Sequence, residues 1–313
     1  MKINYFLEIF FQFKEDLKFS KGSNLRIFNF WKMSSPNDLW FYKFFNSRNA
    51  IPASTRVSIY SVFGDRAKMR LDIGRKKIFF TGENPLNRRN YLDHCLGDVD
   101  LSLGFDYIDA PNYLRFPLWY VFFIDPVANL LSIKEWIERI ESISKSNNLH
   151  SRKFCCMVAS HDPNGHREFV FNLLSELGKI DSGGVLLNNN SELLTKFNND
   201  KHQFLEQYCY NICLENSNRL GYVTEKIFDS LISGCIPIYW GSCGMPELDV
   251  LNQQRILFFD PDNPKILLEK IRDLCDPYLF QQFINQPVFV KDAANVIYQK
   301  LEDLDLCVKS LYR

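Results

Sequence analysis

The chain of 313 residues carries no excess of either charge: 37 Lys and Arg stand against 37 Asp and Glu. A nucleic-acid coat protein or an acidic solvating tail needs such an excess, so both are excluded. Glycine (14) and proline (13) are too scarce for a collagen-like or linker-dominated protein. There is no pair of CxxC motifs, which argues against a structural zinc site. No apolar run reaches the ~20 residues that a membrane span needs. The apolar start, Met1 to Phe13, is short, is interrupted by Glu8 and lacks a cleavage-site pattern. No internal repeat and no low-complexity tract occurs. A soluble, cytosolic chain is the expectation.

Hydrophobic residues are plentiful, at 46%, and 28 of them are Phe. Such a chain can bury a large core, and its length suits about two domains of ~150 residues. The nine cysteines sit mostly in apolar runs such as Phe154-Cys155-Cys156-Met157-Val158. They read as small buried hydrophobes in a reducing compartment rather than as a disulfide framework. Residues 1–150 hold 21 basic and 16 acidic side chains, and residues 151–313 the reverse imbalance, 16 and 21. The basic half would favour weak peripheral contact with an acidic lipid surface.

Strand-like runs fall at 25–30, 56–63, 77–80 and 99–105, and Ile133, Trp136, Ile137, Ile140 and Ile143 form a helical stripe. The polar stretch 145–152 reads as a linker. Beyond it come a strand at 154–159, a helix closed by Gly178, and a short strand at 185–187. A helix around 193–208 and strands at 210–214, 236–240 and 256–259 follow, with a helix at 223–233 closed by Gly234. Strands alternating with helices mean βαβ units and parallel sheets. The expected fold is α/β, with two Rossmann-like domains facing a cleft, at 1–150 and 151–285, and a terminal helical segment at 286–313.

The chemistry concentrates where strands run out. After the apolar strand ending at Leu214 come Glu215, Asn216 and Ser217, and then a helix expected to begin near Tyr222. The C-terminal edge of such a sheet is where ligands bind. At 100° per residue Tyr222, Glu225, Lys226 and Asp229 share one face, with Val223, Ile227, Phe228 and Leu231 opposite. A helix N-terminus next to Lys226 suits a phosphate or pyrophosphate. The loop SHDPNGHR at 160–167 also follows a strand, and Arg167 in the first helical turn needs an anion to offset the dipole. His161 and His166 read as turn or cap residues rather than metal ligands. A third strand end, KIFFTGENP at 77–85, offers Glu83 as a candidate general base. Two DxD triplets, Asp98-Val99-Asp100 and Asp303-Leu304-Asp305, read as structural, so no metal site is assigned.

In order along the chain, FTGENP (80–85), GFD (104–106), LRFPLWY (114–120), KFCCMVAS (153–160), CLENS, GYVTEK and GCIPIYWG resemble the α1,3-fucosyltransferases, glycosyltransferase family 10. The resemblance covers roughly residues 75–260. It implies a GT-B fold with an N-terminal acceptor domain and a C-terminal donor domain. It also implies GDP-β-L-fucose as donor, inversion at the anomeric carbon and no required metal cofactor. Carried over, Glu83 is the base, Arg167 and Lys226 hold the pyrophosphate, and Asn216, Tyr222 and Glu225 position the nucleotide sugar. The loop 160–167 is longer and more polar than that of the bacterial members. The chain otherwise looks like their cytoplasmic kind, acting on an oligosaccharide or lipid-linked glycan and able to sit at the inner membrane. A donor other than GDP-fucose, or an inactive nucleotide- or glycan-binding module, stays open as an alternative.

Overall fold

Aromatic runs split between two faces build the first sheet. In the computed structural model, which describes residues 2–52 and 54–312 and no side chains of residues 2–6, five parallel strands follow one another in space as in sequence. They are β1 (Leu25–Phe28), β2 (Val57–Tyr60), β3 (Lys76–Phe80), β4 (Leu101–Gly104) and β5 (Tyr113–Arg115). Because side chains alternate along a strand, neighbouring Phe79 and Phe80 face opposite ways. Phe79 stacks on Tyr91 at 5.5 Å and Phe80 meets Phe41 edge-on at 4.9 Å. Both faces are thus covered, which explains strands that read as continuous apolar runs. The edge strand β5 has no counterpart among the expected strands: it is three residues long and none of them is fully buried.

The second sheet is also parallel but runs in a different order, β10-β9-β8-β6-β7. Its strands are β6 (Lys153–Met157), β7 (Ile180–Ser182), β8 (Tyr208–Ile212), β9 (Ile236–Tyr239) and β10 (Leu257–Phe258). The chain enters at β6, moves to the edge at β7, then returns to β8 on the other side. That reversal makes a switch point between β6 and β8, where crossovers leave in opposite directions and the loops part. The first sheet, with its sequential order, has none.

Two compact units result, and their limits differ from the expected 150/151 and 285/286. The first unit runs to Asn129 and resumes at Tyr298, and the second is Leu130–Ile297. The helix Leu130–Lys145 belongs to the second because its Trp136 packs 6.4 Å from Phe228 and 5.5 Å from Phe289. Its Glu141 also accepts the backbone N–H groups of Val288 and Phe289, at 2.8 and 3.0 Å. The last helix, Ala293–Ser310, begins in the second unit and belongs to the first from Tyr298 on, where Glu302 pairs with Arg48 at 2.5 Å.

Three further expectations change. The strand at 185–187 lies instead at β7, and Val185 is exposed. The helix at 193–208 breaks into Glu192–Thr195 and Lys201–Leu205, because Asn198 and Asn199 adopt left-handed φ of 49° and 64°. The helix expected from 223 begins at Glu225, after an extended Thr224. No helix among the described residues is long and apolar enough to cross a membrane.

Candidate functional site

At the switch point of the second sheet, the loops after β6 and β8 are tied together by one side chain. Arg167, second residue of the helix His166–Leu174, is buried, and its guanidinium donates to the carbonyl of His161, to that of Leu214 at 2.6 Å, and to Asn216 Oδ1 at 2.8 Å. Asn164 Nδ2 adds a 3.0 Å bond to the Asn216 carbonyl. Three acceptors occupy three of the five guanidinium N–H groups, and Nε–H and one Nη1 hydrogen have no acceptor among the described residues. The strained position expected for a cation in a first helical turn is therefore offset by carbonyl oxygens at strand ends. Burial, working against the charge, holds the Arg167 pKa below its ordinary value, although Asp162, Glu215 and Glu225 oppose the shift.

The second half of the site is a buried polar knot around Glu215. Its backbone N–H continues the β8–β9 pairing by donating to Trp240 O at 2.8 Å. Gly241, at φ 147°, lies so close that a Cβ there would stand 2.7 Å from Glu215 Cγ, so the following loop needs glycine. The Glu215 carboxylate is fully enclosed. It accepts Thr224 N–H at 2.8 Å and the Thr224 hydroxyl at 2.8 Å, and it pairs with Lys226 Nζ at 3.1 Å. Lys226 also donates to Thr224 Oγ1 at 2.8 Å and meets Glu225 Oε1 at 3.3 Å. Glu215 thus holds the N-cap residue of the helix Glu225–Ile232 by accepting its backbone N–H, while the Thr224 side chain caps no helix N–H.

The electrostatics follow from this packing. Burial disfavours the Lys226 ammonium, but Glu215 and then Glu225 outweigh it, so the group titrates above its usual value. Burial would raise the Glu225 carboxyl, yet Lys226, its own N–H and Lys201 pull it below the usual range. Two cations and two carboxylates make this region charge-balanced rather than simply cationic.

Of the residues singled out from sequence, Arg167 and Asn216 are in direct contact, and Glu225 and Lys226 adjoin Glu215. Tyr222 is buried in the loop before the helix instead of on its outer face. Asp229, expected on the same face as Lys226, is buried against Lys201 at 2.5 Å and His202 at 2.9 Å. Glu83 belongs to the first unit. It follows β3 in a loop where Thr81 Oγ1 accepts its N–H at 3.2 Å, beside a cavity of about 210 Å³ walled by Trp31, Phe63, Leu118 and Phe122. His161 is exposed, and the His166 ring meets Trp240 edge-on at 4.5 Å. Asp98 is bound by Arg66 at 2.7 Å, Asp100 by Lys76 at 3.1 Å and Asp305 by Lys309 at 2.7 Å. Sequence reasoning placed Glu215 at the strand's ligand-binding edge but gave it no role, and passed over Thr224. The one signal for them was a carboxylate directly after a buried strand, a residue type that is rarely enclosed without a partner.

Similarity to known proteins bears on the family and the fold. Residues 25–122 match the family model described as the alpha-(1,3)-fucosyltransferase FucT N-terminal domain, and residues 148–272 match that of glycosyltransferase family 10 (fucosyltransferase), C-terminal part. The chain is 32% identical over 190 residues to alpha-(1,3)-fucosyltransferase FucT of Helicobacter pylori, covering 53% of this chain and 37% of that protein. It is 30% identical over 174 residues to alpha-(1,3)-fucosyltransferase B of Drosophila melanogaster, covering 53% and 38%. The aligned stretch spans less than two-fifths of the length of either curated relative. A crystal structure of an alpha1,3-fucosyltransferase with GDP-fucose shares the fold, with a TM-score of 0.62 at 21% identity over 90% of this chain and 89% of that one. The fold class is therefore GT-B, with two Rossmann-like units.

Proposed function

We propose, since this chain belongs to glycosyltransferase family 10, the fucosyltransferases, that it moves L-fucose from GDP-β-L-fucose to a GlcNAc or Glc residue of a lactosamine-type or related glycan. The observation that carries the reading is the clamp of Arg167 on Leu214 and Asn216 at the switch point, with Lys226 close to the same strand end. The proposed reaction is a single displacement with inversion. Glu83 takes the proton of the acceptor hydroxyl as its oxygen attacks the anomeric carbon of fucose. The bond from that carbon to the β-phosphate oxygen breaks, and GDP departs with the bonding electrons. Charge grows on the diphosphate during this step. The two remaining N–H groups of Arg167 and the Lys226 ammonium stabilise it, together with the N-terminus of the helix Glu225–Ile232. Asn216 holds Arg167 in place, and Tyr222 and Glu225 orient the nucleotide sugar. Oriented donors rather than net positive charge carry the stabilisation in this scheme, which invokes no divalent metal, so turnover should persist in EDTA.

A panel of nucleotide sugars with lactose, type 1 and type 2 acceptors tests the reading, with linkage read from the product. Fucose joined through an α1,3 bond is the expected outcome. Transfer from a different donor, or none from GDP-fucose, would overturn it.

A further inference from the structure

The two cations of the second unit's site differ in what an incoming anion would meet. Arg167 keeps two N–H groups without an acceptor among the described residues, so it can take up an anion and lose no partner. The Lys226 ammonium cannot. It has three hydrogens, and three oxygen atoms already surround it: Thr224 Oγ1 at 2.8 Å, Glu215 Oε2 at 3.1 Å and Glu225 Oε1 at 3.3 Å. A diphosphate oxygen that reaches Nζ must therefore displace one of the three.

Geometry singles out which one. Glu215 and Thr224 hold each other, the carboxylate accepting both the N–H and the hydroxyl of Thr224 at 2.8 Å, and the Glu215 side chain is fully enclosed. Glu225 is under neither constraint. Its contact with Nζ is the longest of the three, and no other side chain among the described residues donates to its carboxylate. Its side chain is 29% exposed, against 19% for Lys226. Against the effect of burial, Lys226 and the residue's own N–H hold the Glu225 carboxyl below the usual range, and both are groups that a phosphate would use.

We infer that Glu225 holds the place of a diphosphate oxygen on Lys226, is evicted when a diphosphate binds, and by this competition favours the sugar nucleotide over the free nucleoside diphosphate. The inference rests on Arg167 and Lys226 being the diphosphate site. An evicted carboxylate needs new hydrogen-bond donors, because a charge left unpaired beside a phosphate is strongly disfavoured. The sugar hydroxyls of a bound donor supply them, whereas GDP and inorganic pyrophosphate offer only acceptor oxygens at that end. Once the sugar has left with the acceptor, Glu225 turns back to Lys226 and speeds the release of GDP.

The test titrates inorganic pyrophosphate, GDP and GDP-fucose by calorimetry into the wild type, Glu225→Gln and Glu225→Asp. Glutamine removes the charge. Aspartate keeps it but is one methylene shorter than a side chain whose contact with Nζ is already long. Both suit a first helical turn, so the fold is kept. Glu225→Gln should bind pyrophosphate and GDP about tenfold more tightly, the worth of one charge-assisted hydrogen bond. GDP-fucose should stay within about twofold of the wild type, since what it gains on Lys226 it loses at the hydroxyls. Glu225→Asp should show about a threefold gain for GDP. A gain in Glu225→Gln with none in Glu225→Asp would mean that charge repels without any exchange on Lys226, and overturns the inference. Wild-type GDP affinity in both variants, or equal tightening of GDP-fucose, overturns it too and leaves the donor site standing. Tightening of pyrophosphate and GDP in both variants, with no fucose moved to any acceptor, supports the exchange and counts against the donor reading alone. No binding of either anion to any of the three proteins overturns both.

Discussion

Replacing Lys226 by Met separates its observed pairing with Glu215 from the diphosphate contact proposed for it. In the folded protein Lys226 is the only cation paired with the enclosed Glu215 carboxylate among the described residues. Removing it leaves that charge buried with only the Thr224 N–H and O–H as donors. Breaking a buried pair from one side costs about 3–5 kcal/mol. For a unit of this size that is a fall in Tm of roughly 10 °C. Adding Glu215→Gln removes the orphaned charge, so Glu215→Gln/Lys226→Met should recover at least half of the loss. The assay is urea unfolding of the wild type, both single variants and the double variant, completed as a mutant cycle. GDP titration of the refolded double variant then reads the second role, where affinity should fall about tenfold or more from the loss of one charge-assisted bond. A Lys226→Met protein that unfolds within about 1 kcal/mol of the wild type would mean that the pair behaves as an exposed one, and the reasoning about the buried knot would be wrong.

Glu83→Gln should abolish fucose transfer while GDP affinity stays within about twofold of the wild type; surviving turnover would place the base elsewhere. Arg167→Lys keeps the charge but has one nitrogen, so it cannot serve Leu214 O and Asn216 Oδ1 from one nitrogen and His161 O from another; GDP binding should weaken about tenfold, as isothermal titration would show. Gly184→Ala puts a Cβ 2.2 Å from the Ala159 carbonyl oxygen; the loop after β7 must move, and stability should drop by about 1–3 kcal/mol in denaturant unfolding. His202 gains a proton more readily in the folded state, since its hydrogen bond to Asp229 outweighs its burial. Its raised pKa means a stabilisation fully present below the unfolded value of about 6.5 and lost as pH climbs through the higher folded value. His202→Gln should flatten that part of the stability profile between acidic and mildly alkaline pH, and an unchanged profile would exclude the pair as its source.

What the chain's own pattern determined was local. Apolar runs ended by polar residues placed eight of the ten strands to within a few residues, put a ninth at 185–187 instead of 180–182, and missed β5. Periodicity found the helix Leu130–Lys145, since one face of a helix repeats every 3.6 residues whatever it packs against. The stretch around CLENS and GYVTEK was recognisable because strand end, loop and helix start adjoin in sequence. Tertiary structure decided everything that depends on which segments meet. It put that same helix in the second unit, through Trp136 and Glu141, and returned the last helix to the first through Arg48 and Glu302. It created the switch point, since strand order is a property of the sheet and not of the chain. It turned a presumed cationic cradle into a balanced knot, because the carboxylate that neutralises Lys226 lies eleven residues earlier and reaches it only when β8 and the helix after it are brought together. Side-chain spacing carries the period of an element, whereas pairing across elements is set by packing that no single segment encodes.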